Sequence, residues 1–322
     1  MDLVPLEWEQ RRHLDEVRDL WRTLGPLLQQ RHQFAGGVTW KQVKGYEYLA
    51  RFQTDPITHT KKFEYLGKRK PETERIYADF QRERADLDGQ ITALQRRMDV
   101  AARVTKALRL GRMPTQAADA LRAIWRAGLD NDVVVVGSSN IYAYELLTGL
   151  LAPREAAPAE DLDLMSLVPR SDEAADDLKR ALVTADRSYR FNSRSSEFIA
   201  SDGFRISLKA RSEVDESLTA DAGDEIDREA VAWALEAPAV SGMVLGRDGQ
   251  PTAASFLDPR AFLVLTACTV RMERMRGPRA EPRIEAVAEM VAQEWPEPFP
   301  ERFIELSPAL EEAFGGPRAP SM

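Results

Sequence analysis

The sequence predicts an α/β (α+β) fold, in which a small mixed sheet is flanked by helices. Three stretches predict the strands of this sheet. Residues 133–136 are four consecutive valines, which is typical of a buried strand, and residues 161–165 alternate carboxylates with apolar side chains. Residues 197–210 contain two alternating runs around Asp202 and Gly203, a pair that favours a hairpin turn. Helix-length segments lie between these runs, so we expect strands and helices to share one core.

Length and composition are those of an ordinary globular protein. The chain has 322 residues, of which 43% are apolar and 30% charged. No apolar run approaches the roughly 18 residues that a membrane-spanning helix needs, and no signal-peptide pattern opens the sequence, so we expect a cytoplasmic protein without a membrane partner. The single Cys268 excludes an internal disulfide and a zinc site built from cysteines.

The first part of the chain predicts a helix followed by a basic hairpin. Apolar residues recur every three or four positions over residues 5–33, which predicts a helix that is broken near Gly25 and Pro26. Aromatic and β-branched residues alternate over residues 38–52 and again over residues 61–67. These runs predict a twisted hairpin of two or three strands.

A long polar helix follows the hairpin. Pro71, with acids in the first turn, predicts its start, and an apolar stripe keeps its register to about residue 110. A shorter helix over residues 115–127 leads into the first core strand, and a hairpin around Gly249 precedes three C-terminal helices. We therefore expect three domains, the first with the basic hairpin, the second with the core and the third with the C-terminal helices: residues 1–110, 111–228 and 229–322.

Two carboxylates and a glycine turn form the candidate site. Asp161 and Asp163 are two positions apart on a predicted strand, so both project from one face. Carboxylate oxygens are preferred ligands of Mg²⁺ and also suit Mn²⁺. Gly137, Ser138 and Ser139 lie between a buried strand and a predicted helix, where backbone amides can bind phosphate. The pattern predicts a metal-nucleotide site; the alternative is a solvated strand end beside an ordinary turn.

The same segments resemble a known superfamily. An apolar strand, a Gly-Ser turn, a helix and then Asp-Leu-Asp resemble the core of the polymerase-beta-like nucleotidyltransferases. The wider layout, including the aromatic basic hairpin and the long helix, is similar to a bacterial group of nucleotidyltransferase-fold proteins over most of residues 38–314. The resemblance implies the nucleotidyltransferase fold, with two catalytic carboxylates that hold metal and a turn that binds nucleotide: Asp161 and Asp163, and Gly137, Ser138 and Ser139.

One departure from the superfamily concerns a third carboxylate. The superfamily typically carries it on a later strand, and Ser207 occupies the position where we expect it. A hydroxyl cannot replace a carboxylate as general base at neutral pH. Glu197 lies on the neighbouring strand, but a two-residue Asp202-Gly203 turn would pair it with Leu208, on the wrong face. The departure at Ser207 therefore concerns catalysis rather than nucleotide binding.

Other charged residues could replace the groups that are missing. Glu213 and Asp215 follow the strand and could reach the site if its register differs. Members of the resembling group carry a lysine one to two turns into the helix after Asp258, where this chain has an apolar segment around Thr266. Three arginines farther along could substitute, or could favour only the helix C-terminus and solvent: Arg271, Arg274 and Arg276.

The basic hairpin has two interpretations. Its lysines Lys41, Lys44, Lys61 and Lys62, interleaved with aromatic residues, could contact phosphates while the rings stack on RNA or DNA bases. The alternative is a small aromatic core with lysines that protect its edges, which nearby acids favour. The net charge of −8 argues against binding nucleic acid over the whole surface.

Three functions are open at this point. The first is a metal-dependent enzyme that binds NTP, with ATP as the expected donor and Mg²⁺ or Mn²⁺ as cofactor, and transfers a nucleotide to an RNA end or a protein. The second is a catalytically degenerate nucleotidyltransferase-fold module that binds RNA, DNA or a protein partner through the basic hairpin and the long helix. One half of a toxin and antitoxin pair is a third possibility.

Overall fold

The computed structural model describes residues 3–34, 36–156, 161–167, 172–220, 224–272 and 280–315. Within these ranges the strands form a seven-stranded sheet, a three-stranded sheet and a two-stranded pair, and helices cover them. The α/β (α+β) class predicted from the sequence is confirmed. None of the helices in the described ranges combines the length and hydrophobicity that crossing a membrane requires.

The N-terminal part holds two long helices and a small antiparallel sheet. The predicted break in the first helix is wrong, because Pro26 lies inside a continuous helix. Gly25 packs against the ring of Trp125, 3.1 Å from where a Cβ would lie, so packing on the core holds the helix through the proline. The elements are β1 (Val4–Pro5), α1 (Trp8–Gln33), β2 (Gly37–Val43), β3 (Tyr46–Thr54), β4 (Lys61–Lys68) and α2 (Pro71–Ala107).

The middle and C-terminal parts alternate strands with helices. The first series is α3 (Thr115–Arg126), β5 (Val133–Val135), α4 (Ile141–Thr148), β6 (Leu150–Leu151), β7 (Asp161–Ser166), α5 (Asp172–Ala185), β8 (Arg190–Asn192), β9 (Glu197–Ile199), β10 (Arg205–Ala210) and α6 (Arg211–Thr219). The second series is α7 (Glu225–Glu236), β11 (Val240–Leu245), β12 (Pro251–Phe256), α8 (Pro259–Arg271), α9 (Ala280–Glu294) and α10 (Pro308–Phe314).

The large sheet has the strand order β11-β12-β5-β7-β10-β9-β8. Strand β5 runs antiparallel to β7, which in turn runs parallel to β10. The C-terminal hairpin of β11 and β12 joins this sheet through β5. The sheet thus continues past residue 228, where the sequence analysis set a domain boundary.

Two helical layers cover the sheet. Leu162 and Leu164 of β7 pack with residues of α3 and α5 on one face. Met165, which points the other way, packs with residues of α4, α7, α8 and α9. Asp161 and Asp163 share the face of Met165 by strand alternation. They lie toward the beginning of β7, beside the end of the antiparallel strand β5.

Candidate active site

Strand β5 ends in a turn that one amide side chain holds in place. The three valines of β5 are buried, as expected of β-branched residues in a central strand. The Asn140 side-chain amide donates to the carbonyls of Val135 and Gly137, each at 2.8 Å. Its Oδ1 accepts the Leu257 amide at 3.0 Å. Asn140 thereby ties the turn to β5 and to the segment after β12, a long-range role that the local sequence pattern does not indicate.

Gly137 lies directly against the carboxylate of Asp163. A Cβ built on Gly137 would lie 2.2 Å from Oδ2 and 2.9 Å from Cβ of Asp163. Its φ of −84° is open to any residue, so space rather than backbone freedom requires glycine here. The Val136 amide also donates to the Asp163 carbonyl at 3.0 Å. The turn and the carboxylate therefore form one structural unit.

The two serines after Gly137 have different surroundings. The Ser139 side chain is buried and its hydroxyl donates to the Asp161 carbonyl at 3.4 Å, so it braces the turn against β7. Ser138 is half-buried at the start of the 3₁₀ turn Ser138–Asn140 that leads into α4. Of the two hydroxyls, that of Ser138 is the better placed to meet a phosphate.

Asp161 and Asp163 share one face of β7, as the sequence predicts. Asp161 is exposed and Asp163 half-buried, whereas Leu162 between them is fully buried on the opposite face. Burial raises the pKa of the Asp163 carboxyl, and the neighbouring charge of Asp161 raises it further. A hydrogen bond from Ser207 and the charge of Lys209 act in the opposite direction. The two carboxylates thus repel each other in a setting that a cation would stabilise.

Ser207 lies where the sequence analysis expected a third carboxylate. Strand β10 pairs with β7 in parallel register, with Ser207 opposite Asp163 and Arg205 opposite Asp161. The Ser207 hydroxyl donates to the Asp163 carboxylate. Ser207 therefore orients that carboxylate but adds no negative charge.

Glu197 lies on the face of Asp163, and the opposite assignment made from the sequence is wrong. In the structure Glu197 pairs with Ser207, not with Leu208, and so shares the face of Asp163. The hairpin loop is one residue longer than predicted, because the Ala200 amide donates to the Phe204 carbonyl and leaves three loop residues. Gly203 provides the left-handed conformation, with φ of 89°, that such a loop requires. After burial and Asp161, the negative charge of Glu197 also raises the Asp163 pKa, so the two carboxylates are close enough to interact.

A protein-family model matches the part of the chain that contains these strands. The nucleotidyltransferase family model matches residues 115–306, more than half of the chain. The chain belongs to the nucleotidyltransferase family. The match begins at the first residue of α3 and includes the whole seven-stranded sheet. No curated protein and no solved structure matches the chain.

Positive charge near the carboxylates of this nucleotidyltransferase comes from β10. Arg205 and Lys209 are exposed on the face of Ser207, one on each side of it. On α8, where the resembling group carries a lysine, the Thr266 hydroxyl donates to a carbonyl of its own helix. Arg271 pairs with Asp227 at 3.1 Å and with Asp224 at 3.4 Å. Arg274 and Arg276 lie outside the described residues.

The acids after β10 have other roles. The Glu213 carboxylate accepts the Ala210 amide at 2.8 Å and so caps α6. Asp215 is exposed on the same helix. In the described part of the chain no three His, Cys, Asp or Glu side chains converge on one metal position. Asp161 and Asp163 are thus the carboxylates that a metal ion would meet on β7.

The predicted nucleic-acid lysines of this nucleotidyltransferase lie on the separate three-stranded sheet, before the matched region. Lys41 of β2 and Lys61 of β4 share one face of that sheet by register, whereas Lys62 belongs to the other face. Lys44 lies in the turn between β2 and β3. The four residues therefore do not form one patch.

Proposed function

We propose that this nucleotidyltransferase is a metal-dependent enzyme that binds an NTP, with ATP as the expected donor, and transfers a nucleotide to a macromolecular acceptor. The contact that supports this function most strongly is the approach of Gly137 to the Asp163 carboxylate. It leaves no side chain between a turn suited to phosphate and a carboxylate suited to metal. The acceptor is an RNA end or a protein side chain.

Asp161 and Asp163 would hold Mg²⁺ or Mn²⁺. Their donor set is hard oxygen, and Mg²⁺ typically takes one or two protein carboxylates while waters and substrate phosphates fill its other positions. The repulsion between the two carboxylates, which raises the Asp163 pKa, is relieved by a divalent cation. When bound, the metal would neutralise charge on the phosphates during transfer.

The turn and β10 would hold the triphosphate. The backbone amides of Gly137 and Ser138 lie just before the N-terminus of α4, where the helix dipole favours an anion. The Ser138 hydroxyl adds a donor, and Ser139 supports the turn through Asp161. Arg205 and Lys209 provide positive charge on the neighbouring strand.

Glu197 would act as general base. Neighbouring strands are about 4.8 Å apart, so roughly 10 Å separates the backbones of β7 and β9, and the short Ser207 between them leaves room for the longer glutamate to lean inward. The acceptor hydroxyl would lose its proton to Glu197 as its oxygen attacks the α-phosphate in line. A new O–P bond forms, and the bond to pyrophosphate breaks.

Ser207 is the observation that favours the second candidate, a degenerate module that binds nucleic acid or a protein partner without catalysis. In that case Glu197 would have no catalytic role, and Asp163 would need only to support the fold. Transfer of label separates the two candidates, because a binding module transfers none.

Label transfer tests the proposed function. The full chain is incubated with NTPs labelled at the α-phosphate, Mg²⁺ or Mn²⁺, and total RNA or protein. We expect label on one acceptor class with the wild type, and a loss of at least about 100-fold with Asp161→Asn/Asp163→Asn. Asp215→Asn, an acid-to-amide change on exposed α6, is the matched control and keeps activity.

Two results would contradict enzymatic transfer. One is the absence of label on any acceptor together with the absence of a thermal shift by any NTP and metal. The other is equal transfer by wild type and the double variant, which would place the chemistry elsewhere.

A further inference from the structure

The three-stranded sheet presents five aromatic residues on one face. Register pairs Lys41 with Tyr48 and Lys68, and pairs Phe52 with Phe63. Strand alternation, together with the register shift after Leu49, assigns each of the other side chains to one of the two faces of the sheet. We call the surface that these rings share the aromatic face: Tyr46, Tyr48, Phe52, Phe63 and Tyr65.

The opposite face of this sheet packs on α2. Val38 and Leu49 of that face are buried, at 6% and 0% exposed. Trp40 packs on Tyr77 of α2, with ring centroids 5.9 Å apart. The small core predicted for the hairpin is therefore on this side, and the aromatic face points outward.

The rings of the aromatic face remain accessible. Tyr46 is 59% exposed and Tyr65 is 54% exposed, far more than packing in a core would leave. Tyr48 meets Tyr65 edge-on, with centroids 6.1 Å apart, so the phenol rings form a connected surface. Exposed aromatic residues that adjoin one another are typical of a binding surface.

Lysines lie directly over these rings. The Nζ atoms of Lys41, Lys61 and Lys68 are 3.1, 4.9 and 4.3 Å from the ring centroids of Phe63, Phe52 and Tyr46. Such cation–π contacts hold each ammonium group against one side of a ring without neutralising its charge. The aromatic face thus combines exposed tyrosine rings with positive charges held against it.

The acids of the hairpin do not dilute this charge. Glu47 pairs with Gln42 and Glu64 with Arg51, and both pairs belong to the opposite face. Glu47 is also bound by Arg69 at 2.8 Å. No carboxylate of β2, β3 or β4, all of which the structure describes, points to the aromatic face. On a chain of net charge −8, this surface stands out as positive.

We infer that the aromatic face binds single-stranded nucleic acid. Unpaired bases stack on the ring surfaces that remain exposed, and the lysines that lie over neighbouring rings contact the phosphates that link those bases. A duplex hides its base faces and would use only the lysines. An acidic protein segment would likewise use the charges and leave the exposed tyrosines without a role.

This surface goes beyond the site on β7. Binding of a single strand here needs neither metal nor NTP. Only the idea that this strand is the acceptor of the transferred nucleotide rests on the proposed function. Substitutions in the two sites therefore have separate effects. Asp161→Asn/Asp163→Asn leaves strand binding unchanged, whatever the outcome of the label-transfer experiment.

Fluorescence anisotropy with labelled oligonucleotides of about 20 bases tests the inference. The probes are single-stranded RNA, single-stranded DNA and duplex DNA, titrated with the full chain from about 50 mM to about 300 mM KCl. The matched pair of variants is Lys61→Gln and Lys62→Gln, because these adjacent lysines belong to opposite faces. Tyr46→Ser/Tyr65→Ser removes the exposed rings, and Tyr46→Phe/Tyr65→Phe keeps them.

We expect single strands to bind more tightly than duplex, with one of the two single-stranded probes preferred. Tyr46→Ser/Tyr65→Ser should weaken binding at least about tenfold, whereas the phenylalanine variant keeps it. Lys61→Gln/Lys68→Gln should reduce the salt slope by about 1.4, since each phosphate contact to a single strand contributes about 0.7. Lys62→Gln should change neither quantity.

Several results would overturn the inference. One is no binding of any single strand at the lowest salt, and another is equal effects of Lys61→Gln and Lys62→Gln. Competition by poly-L-glutamate as strong as by unlabelled oligonucleotide would identify a general polyanion site or an acidic protein partner instead. Circular dichroism checks that each variant is folded.

Discussion

Asp163 is the residue on which the candidate active site depends. Its side chain is half-buried, lies beside Asp161, and receives a hydrogen bond from Ser207. Burial and a like charge both raise its pKa, so keeping it ionised reduces the stability of the fold. An arrangement that opposes stability in this way is typical of functional sites. We therefore expect Asp163→Asn to be at least as stable as the wild type while it loses transfer.

Gly137→Ala tests the contact between the turn and Asp163. The added methyl would collide with the Asp163 carboxylate. We expect transfer to fall about 100-fold or more, because misplacement of a reacting group by about 1 Å has such an effect. We also expect the free energy of unfolding to fall by about 1 to 3 kcal/mol, the usual effect of overpacking.

Gly89→Ala is the control for this change. Gly89 lies within α2, and a Cβ there would meet no atom within 4 Å. We expect it to keep activity and to stabilise the helix by up to about 1 kcal/mol. Full activity of Gly137→Ala, measured by label transfer, would show that the close approach has no catalytic importance.

Glu145 gives the fold a pH dependence of its own. Its buried carboxylate on α4 accepts bonds from Arg112 at 2.5 Å and from the Ala152 amide at 3.0 Å. Burial raises the pKa of Glu145 from 4.5 to about 7, although Arg112 opposes the shift. The folded state therefore binds this proton more tightly than the unfolded chain does. The resulting stability is fully present below pH 4.5 and is lost as the pH rises through about 7.

Urea unfolding across this pH range measures the effect. Relative to Glu145→Gln, the wild type should lose roughly 3 kcal/mol of unfolding free energy between about pH 4.5 and about pH 8. Parallel pH profiles for the two proteins would contradict a proton bound at Glu145.

At the scale of elements, the hairpin of β9 and β10 decides whether a third carboxylate is present. A loop of three residues rather than two pairs Glu197 with Ser207. A shift of one residue moves every side chain of β9 to the other face. The register of this short hairpin therefore determines whether Glu197 shares the face of Asp163, as its proposed role of general base requires.

Glu197→Gln tests that assignment. We expect transfer to fall by about 10²- to 10⁴-fold, the usual contribution of a general base, with little change in nucleotide binding. Glu216→Gln on exposed α6 is the control and should have no effect. Adding Ser207→Asp to Glu197→Gln should restore part of the activity, because it moves the acid one strand closer. An unchanged rate for Glu197→Gln would remove Glu197 from the mechanism.

The sequence predicted elements better than the contacts between them. Strand alternation alone placed Asp161 and Asp163 on one face, and the layout placed Ser207 beside them. Loop length is a weaker signal, so Glu197 was assigned to the wrong face. The break predicted at Pro26 failed because packing on Trp125 outweighs a local preference. The role of Asn140 depends on β12, which is more than 100 residues away, and local patterns do not show it.

In the basic hairpin, too, the sequence predicts the strands but not which side chains share a face. Lys61 and Lys62 are adjacent in the sequence, but they lie on opposite faces of the sheet. Glu47 and Glu64, two acids that dilute the patch in the sequence, lie on the face opposite the exposed rings. Only the pairing of three strands separates these sets, and pairing is a property of the folded element.

In the whole molecule the nucleotidyltransferase region and the N-terminal part are joined by packing. Trp21 of α1 and Trp125 of α3 are in contact, with ring centroids 4.8 Å apart, and Gln29 donates to the Trp125 carbonyl at 3.0 Å. The family match covers residues 115–306, so α1, the three-stranded sheet and α2 lie outside it. We propose that the matched region carries the chemistry and that the N-terminal part contributes the surface that holds the acceptor.

Calorimetric titration of the full chain with an ATP analogue that cannot be cleaved between its α- and β-phosphates tests the central claim most directly. Wild type should bind the analogue in the presence of Mg²⁺ and at least about tenfold more weakly after chelation. Asp161→Asn/Asp163→Asn should show no effect of Mg²⁺, whereas Asp215→Asn should behave as wild type. Binding by the double variant that is as tight, and as dependent on Mg²⁺, as that of the wild type would contradict a metal-nucleotide site on β7.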